Sequence, residues 1–440
     1  VKNHLSRKVD QFKTHEYKTL GTAILCQVFG TFAMQAIEQN GLLILYLRAL
    51  GLSASFTLSL LSGFSLIQAS LRVPSSHIAD SVGRKRLGLS GTLLGTASLI
   101  MIALSGFLNP SLVRGVVITT VLLLAFGEAL FSSGWFSVLH PIIPNHRRGA
   151  FFGLLRFSWQ SSGIILAAVS SFFLHRYPEV WMYQIVFGVI AAGAFTRALL
   201  YTKLPQLESP GESQISFGDA VKQVFEQKGF SSYMIYIFVR FLFVGAILQI
   251  LVLLEKEAIG LSDGTVVMLA NIGLIGHLAG FIGGSFSVDK LSRKPFFVVS
   301  HGLMGLIILL FPLRTFFPTL PIVPVYALLH FIFGFFFANF SVAMTAEEFS
   351  LIRTERKALA FSFSGFAFIG GKAVSRFFSS FLLHPGVLPE NLTVFGGSFS
   401  NYDLVLIIFG IFLILTLPLT RIVPGVKIDL KEKPNPWWIR

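Results

Sequence analysis

Twelve apolar runs, each about the length needed to cross a bilayer, occupy most of this chain. They lie at about 20–48, 55–79, 87–108, 113–140, 150–175, 178–202, 230–256, 263–288, 296–313, 319–346, 358–384 and 403–423. A spanning helix takes about 20 mostly apolar residues, so each run reads as one crossing. None shows the alternation over ~10-residue segments that marks a membrane strand. Composition agrees. Of 440 residues, 53% are hydrophobic and only 13% charged, with 47 Phe, where a soluble domain carries about 25% charged residues. A soluble enzyme and a disordered chain are excluded. So is a disulfide-stapled scaffold, since Cys26 is the single cysteine.

The formal charge is +14. Its basic residues lie in short gaps between apolar runs, so the expected partner is a lipid bilayer and not nucleic acid. Alternate gaps, counted with both chain ends, hold 23 Lys and Arg; the opposite gaps hold five, Arg48, Arg114, Arg176, Lys256 and Arg314. Basic loops stay in the cytoplasm, which predicts an even number of spans and two cytoplasmic termini. The first 18 residues are polar and basic, so the first span is expected to act as an uncleaved insertion signal. A bacterial inner membrane is favoured over a eukaryotic one.

The chain repeats itself at an offset of 209 residues. Leu50-Gly51-Leu52-Ser53 matches Ile259-Gly260-Leu261-Ser262, Asp80 with Arg84-Lys85 matches Asp289 with Arg293-Lys294, and Arg147-Arg148 matches Arg356-Lys357. Residues 170–175 and 379–384 also match, as Ser-Ser-Phe-Phe-Leu-His and Ser-Ser-Phe-Leu-Leu-His. The longest basic-side loop separates the copies. This predicts a six-span unit over 1–202, a linker over 203–229 and a second six-span unit with a tail over 230–440. In the linker, Phe217, Val221, Val224 and Phe225 fall at helical spacing, which predicts a short amphipathic helix on the membrane surface. Substrate sites in such repeats lie at the repeat interface near the midplane.

The stretch Ser76-His77-Ile78-Ala79-Asp80-Ser81-Val82-Gly83-Arg84-Lys85-Arg86 resembles the loop signature of the major facilitator superfamily, with Asp80, Gly83, Arg84 and Lys85 matching and Ser76 and Ser81 departing. The second copy keeps Asp289, Arg293 and Lys294 and has Ser285 and Ser292 in place of the glycines. The resemblance implies an all-α membrane protein with twelve transmembrane helices in two pseudo-symmetric six-helix bundles. It also implies that Asp80, Gly83, Arg84, Lys85, Asp289, Arg293 and Lys294 gate the cytoplasmic side, the carboxylates docking on helix N-termini across the two halves.

Ionisable residues inside membrane helices are costly and mark paired or functional positions. Six stand out: Glu38, Glu128, Arg156, Arg240, Lys372 and Arg376. The 209 offset places Ile247 opposite Glu38, Phe337 opposite Glu128 and Gly163 opposite Lys372, so these charges do not belong to the repeated scaffold. Glu38 shares a helix face with Thr31, Gln35 and Gln39. A partly desolvated carboxyl there could take up and release a proton, and Glu128 is the second proton-coupling candidate. Arg156 could reach Glu128. Lys372 and Arg376, one turn apart, call for an anion between them, from substrate or from Glu38. Arg240, Tyr236, Gln35, Gln39, Gln160 and Trp135 complete the expected substrate-binding set. Gln68, Asn271, His277, His330 and Asn339 are weaker candidates, as cavity lining or interhelical hydrogen-bonding groups.

No phosphate-binding Gly-rich loop, metal cluster or hydrolase triad occurs, so no enzyme and no cofactor is expected, and a proton gradient is the expected energy source. The leading reading is a monomeric secondary transporter that moves a small organic anion or zwitterion with protons. Two alternatives stay open: a proton-driven exporter of amphipathic or cationic compounds, and a lipid-handling or sensor protein on the same fold.

Overall fold

The computed structural model describes residues 16–139, 142–143, 148–205, 217–288, 293–352 and 357–425. The first span is two helices, α1 (Glu16–Glu38) and α2 (Leu42–Ala49). Then follow α3 (Ala54–Val82), α4 (Arg84–Leu104), α5 (Pro110–Leu139), α6 (Arg148–Arg176) and α7 (Val180–Lys203). After α8 (Phe217–Phe225), the seventh span is again split, into α9 (Phe230–Val244) and α10 (Ile247–Leu253), and ends in a π-turn, Leu254–Ala258. The remaining spans are α11 (Asp263–Val288), α12 (Arg293–Leu310), α13 (Ile322–Leu351), α14 (Lys357–Leu382) and α15 (Asn401–Leu415). Among the described residues, ten of the twelve are long, apolar helices by length and composition. The other two are α14, which carries Lys372 and Arg376, and α15, which is 15 residues long. The start of α1 packs with Leu204 and Pro424 packs with Gly229, so the two ends of the described chain lie at the linker face, here called proximal; the other is distal.

The chain forms two pseudo-symmetric six-helix bundles. One short hairpin interrupts the helical pattern of the described residues, β1 (Asn391–Val394) antiparallel to β2 (Gly397–Ser400). Phe395 and Gly396 turn it with φ of 50° and 79°, the two positive φ values that a tight hairpin requires. The helix expected in the linker forms as α8, and its apolar face packs against protein. Val224 is fully buried with Phe230, Ile352 and Ala360, and the Phe225 ring packs edge-on against Phe363 at 5.1 Å. The short helix therefore docks on the second bundle.

The break in the first span has a local cause. The side-chain carbonyl of Asn40 accepts from the Leu42 backbone N–H at 3.2 Å, and Gly41 turns the chain with φ of 70°. A Cβ at Gly41 would stand 2.5 Å from Val252, so this turn is also where the two bundles meet.

Candidate functional site

The break leaves Glu38 at the C-terminal end of α1, facing α14 of the other bundle. Arg376 Nη1 donates to Glu38 Oε1 at 2.9 Å and Nη2 donates to Oε2 at 2.6 Å. Lys372 Nζ donates to Oε2 at 2.9 Å. The Glu38 side chain is 10% exposed, that of Lys372 17% and that of Arg376 0%. One carboxylate thus faces two cations, and the cluster carries a formal +1. Arg376 Nη1 also donates to Ser65 Oγ at 2.5 Å. Gln249 Nε2 donates to the Glu38 backbone carbonyl at 3.1 Å. Lys372 Nζ rests over the Phe368 ring at 4.6 Å and is the member of the cluster with a polar head still partly free.

Two glycines make the close approach possible. A Cβ on Gly245 would lie 2.7 Å from Lys372 Cα, and one on Gly163 would lie 1.4 Å from Gln35 Oε1. The 209 offset relates Gly163 to Lys372 and Gly245 to Ala36, so the small residue at 163 in the first repeat is the large one at 372 in the second. Gln35 Nε2 donates to the Trp159 carbonyl at 3.2 Å, and Gln160 Nε2 donates to the Leu274 carbonyl across the bundles at 3.5 Å. Gln35 and Gln39 each keep a buried Oε1 with no hydrogen bond.

Distal to this cluster the bundles are clasped shut. Ser55 Oγ donates to the Ser380 carbonyl at 2.9 Å, and Ser380 Oγ donates to the Ser55 carbonyl at 2.7 Å. Ser59 Oγ meets Ser380 Oγ at 2.6 Å, and Ser62 Oγ donates to the Ala373 carbonyl at 2.8 Å. The pseudo-equivalent contact is Ser171 Oγ donating to the Gly264 carbonyl at 2.7 Å; 55 and 264, and 171 and 380, are each 209 apart. An ion pair of Arg48 and Glu257, also 209 apart, joins the bundles on the pseudo-twofold axis.

Other expected site residues lie elsewhere. Arg240 and Tyr236 are fully buried inside the second bundle; the Arg240 guanidinium covers the Phe340 ring at 3.2 Å and donates to Met304 Sδ at 2.8 Å. Trp135 stacks on Phe131 in the core of the first bundle. Glu128 accepts from Arg197 Nη1 at 3.0 Å and not from Arg156, which forms no ion pair among the described residues. Arg197, a lone cation inside the apolar run 178–202, was the legible signal for this pair. Lys85 Nζ donates to the carbonyls of Thr202 (2.7 Å) and Leu204, and Lys294 Nζ to that of Arg421 (3.3 Å). Each caps the last span of its own bundle, as charge at a helix C-terminus favours. Gly83 precedes α4 with φ of 101°, and the Arg84 carbonyl meets α5 at Gly134. The side chains of Asp80 and Arg293, and all of Asp289, lie outside the described residues. Sequence reasoning missed Arg72, packed against Gly365 of α14, and Glu255, which meets His330 at 2.6 Å inside the second bundle.

A family profile described as Major Facilitator Superfamily matches residues 23–375. The chain belongs to this superfamily. It is a multi-pass integral membrane transporter and not an enzyme. Its fold is that of a D-xylose-proton symporter, with a TM-score of 0.71 at 16% identity over 93% of this chain and 98% of that one. A point mutant of the nucleoside transporter NupG gives 0.69 at 15% identity, covering 92% and 100%. A POT family transporter bound to a thioalcohol conjugated peptide gives 0.70 at 14%, covering 92% and 95%. No curated protein matches the chain in sequence.

Proposed function

We propose that this superfamily member is a proton-coupled secondary transporter that moves a small organic anion or zwitterion by alternating access. One observation carries the reading: a single carboxylate of the first bundle is shared by two cations of the second. An incoming carboxylate can take Lys372, the more exposed cation, without uncovering Arg376. Glu38 then loses a partner and becomes able to accept a proton. Cargo and proton would bind together, which is symport. One similar structure is that of a D-xylose-proton symporter, which is in keeping with that coupling. Gln35, Gln39 and Gln160 would supply neutral hydrogen bonds for the rest of the cargo, with the two orphaned amide oxygens accepting from its donors. The protein would act as a monomer in a bacterial inner membrane, with its proximal face cytoplasmic as the Lys and Arg bias predicts.

The test is uptake into proteoliposomes across a panel of radiolabelled amino acids and mono- and dicarboxylates, with and without an imposed pH gradient. Gradient-driven accumulation of a carboxylate, lost in Lys372→Ala, supports the reading. Glu38→Gln should keep cargo exchange and lose accumulation. Driven export of a cationic dye, unaffected by Lys372→Ala, would overturn the anion reading.

A further inference from the structure

We propose that Arg240 anchors a small-anion site inside the second bundle, separate from the cluster of Glu38, Lys372 and Arg376. Phe131 and Phe340 are 209 residues apart and therefore equivalent. Each carries a guanidinium on its ring face, Arg197 at 3.3 Å from the centroid of Phe131 and Arg240 at 3.2 Å from that of Phe340. The two cations reach this spot from different helices. Arg197 comes from α7 and lies against α1 at Gly30, where a Cβ would stand 2.3 Å from its side chain. Arg240 comes from α9, at the position equivalent to Thr31 of α1. Two unrelated sequence positions thus place a cation in the same structural seat.

The seats differ in their anion. In the first bundle Glu128 neutralises Arg197 at 3.0 Å. In the second, the position of Glu128 is Phe337. Arg240 Nη2 meets only the weak acceptor Met304 Sδ. Its Nε and Nη1 have no hydrogen-bond acceptor, although the residue is fully buried. Nor do the neighbours supply a charge. Tyr236 is one turn away, and its hydroxyl is within 3.2 Å of His301 Nδ1. Since His301 Nε2 lies 2.7 Å from the Leu413 carbonyl and must donate to it, Nδ1 accepts from the tyrosine. An arginine stays protonated in proteins, so burial cannot discharge it as it would a lysine. A buried, uncompensated cation calls for a counterion, and the enclosure by Phe340, Phe241 and Met304 restricts it to a small monovalent one, chloride or a short carboxylate.

The experiment is thermal unfolding of the purified full-length protein in detergent at constant ionic strength, in chloride, acetate or bulky gluconate. Wild type should gain Tm in chloride or acetate over gluconate, and the gain should grow with the logarithm of the anion concentration. A gain in chloride alone assigns an inorganic ion, and a gain in acetate assigns a carboxylate. Arg240→Gln should abolish the anion dependence. Phe337→Glu, which supplies the carboxylate that Glu128 supplies in the first bundle, should abolish it too, while raising Tm in gluconate above that of wild type. Equal Tm of the wild type in all three salts overturns the proposal. So does an anion dependence that survives in Phe337→Glu, the variant that keeps Arg240 and its packing.

Discussion

Replacing Glu38 by Gln should open the distal face. The substitution leaves Lys372 and Arg376 facing each other one turn apart on α14, with no carboxylate from the first bundle. Removing one partner of a buried ion pair costs about 3–5 kcal/mol, because the partner stays buried and unpaired. The introduced amide would retain one acceptor for Arg376, so the lower value, about 3 kcal/mol, applies. Against this stand the interhelical serine bonds of Ser55, Ser59, Ser62 and Ser171, each worth only about 0.6 kcal/mol in the membrane. The five bonds total about 3 kcal/mol, no more than the lost ion pairs, so they leave no surplus to hold the distal side closed. A shift of about 3 kcal/mol moves a two-state equilibrium on the order of a hundredfold.

Site-directed labelling reads this directly. Cys26 is buried and unique, so Cys26→Ala gives a cysteine-free background. Ser62→Cys then reports on the clasp, because Ser62 is 7% exposed and donates across it. A membrane-impermeant maleimide applied from the distal face should label Ser62→Cys at least about tenfold faster when Glu38→Gln is added, the minimum left if the open state is already partly populated. Equal labelling rates in folded protein would refute the view that these ion pairs close the distal side.

Three further outcomes follow from contacts already given. Gly163→Ala should lose transport while the protein still folds, since its Cβ would overlap Gln35 Oε1, and adding Gln35→Ala should restore folding stability but not transport, as measured by Tm and uptake. Glu128→Gln should cost about 3–5 kcal/mol of stability by leaving Arg197 unpaired, and the double variant Glu128→Leu with Arg197→Met should cost less than the sum of its single changes, as seen by thermal unfolding. Gly41→Ala should destabilise by about 1–3 kcal/mol through its positive φ alone, and Val252→Ala should relieve only the added overlap, so the double variant should recover part of the Tm loss.

Much of the architecture was legible because it rests on apolar length and on repetition, which a linear sequence displays. Two spans were readable from the sequence yet depart from a simple length-and-composition rule. The twelfth span is a 15-residue helix, and the eleventh carries two cations that only Glu38, 334 positions away from Lys372, makes tolerable. Pairings were less legible. Glu38 was one of two anions expected between Lys372 and Arg376, yet nothing in the sequence says that Arg376 reaches it with both terminal nitrogens. Glu128 was matched with Arg156 because both follow from helix faces, whereas its partner Arg197 sits on a helix whose facing residues depend on bundle packing. Arg240 and Lys372 look alike as lone cations in apolar helices. Phe241, packed at 4.4 Å from Phe368, stands between their surroundings, a separation set by tertiary contacts alone. The serine series 55, 59, 62 and 65 was a missed signal. Its spacing of four, three and three puts all four hydroxyls on one face of α3, which is the face that meets α14.

The distribution of symmetry within the molecule separates scaffold from site. Where the two repeats keep the same chemistry, the contacts are mechanical: Ser55 with Ser380 and Gly264 with Ser171 clasp the distal face, and Lys85 and Lys294 cap the last span of each bundle. Where the repeats diverge, charge or bulk has been moved from one helix to another. Gln35 fills the space beside Gly163 in the first bundle, and Lys372 fills the space beside Gly245 in the second. The redistribution puts Val244 at the position of Gln35 and Gly245 at that of Ala36, and each glycine keeps its helix contact close. It nevertheless turns a neutral amide contact into a cation aimed at Glu38. A symmetric cavity would offer the same groups from both sides and could bind cargo in two opposed orientations. With the cations on α14 and the carboxylate on α1, cargo bound there as proposed would have one preferred orientation, and its binding energy would depend on how far the two bundles stand apart. Under the proposed alternating-access reading, rocking between states would change the cargo's affinity, so cargo binding would bias the balance between them.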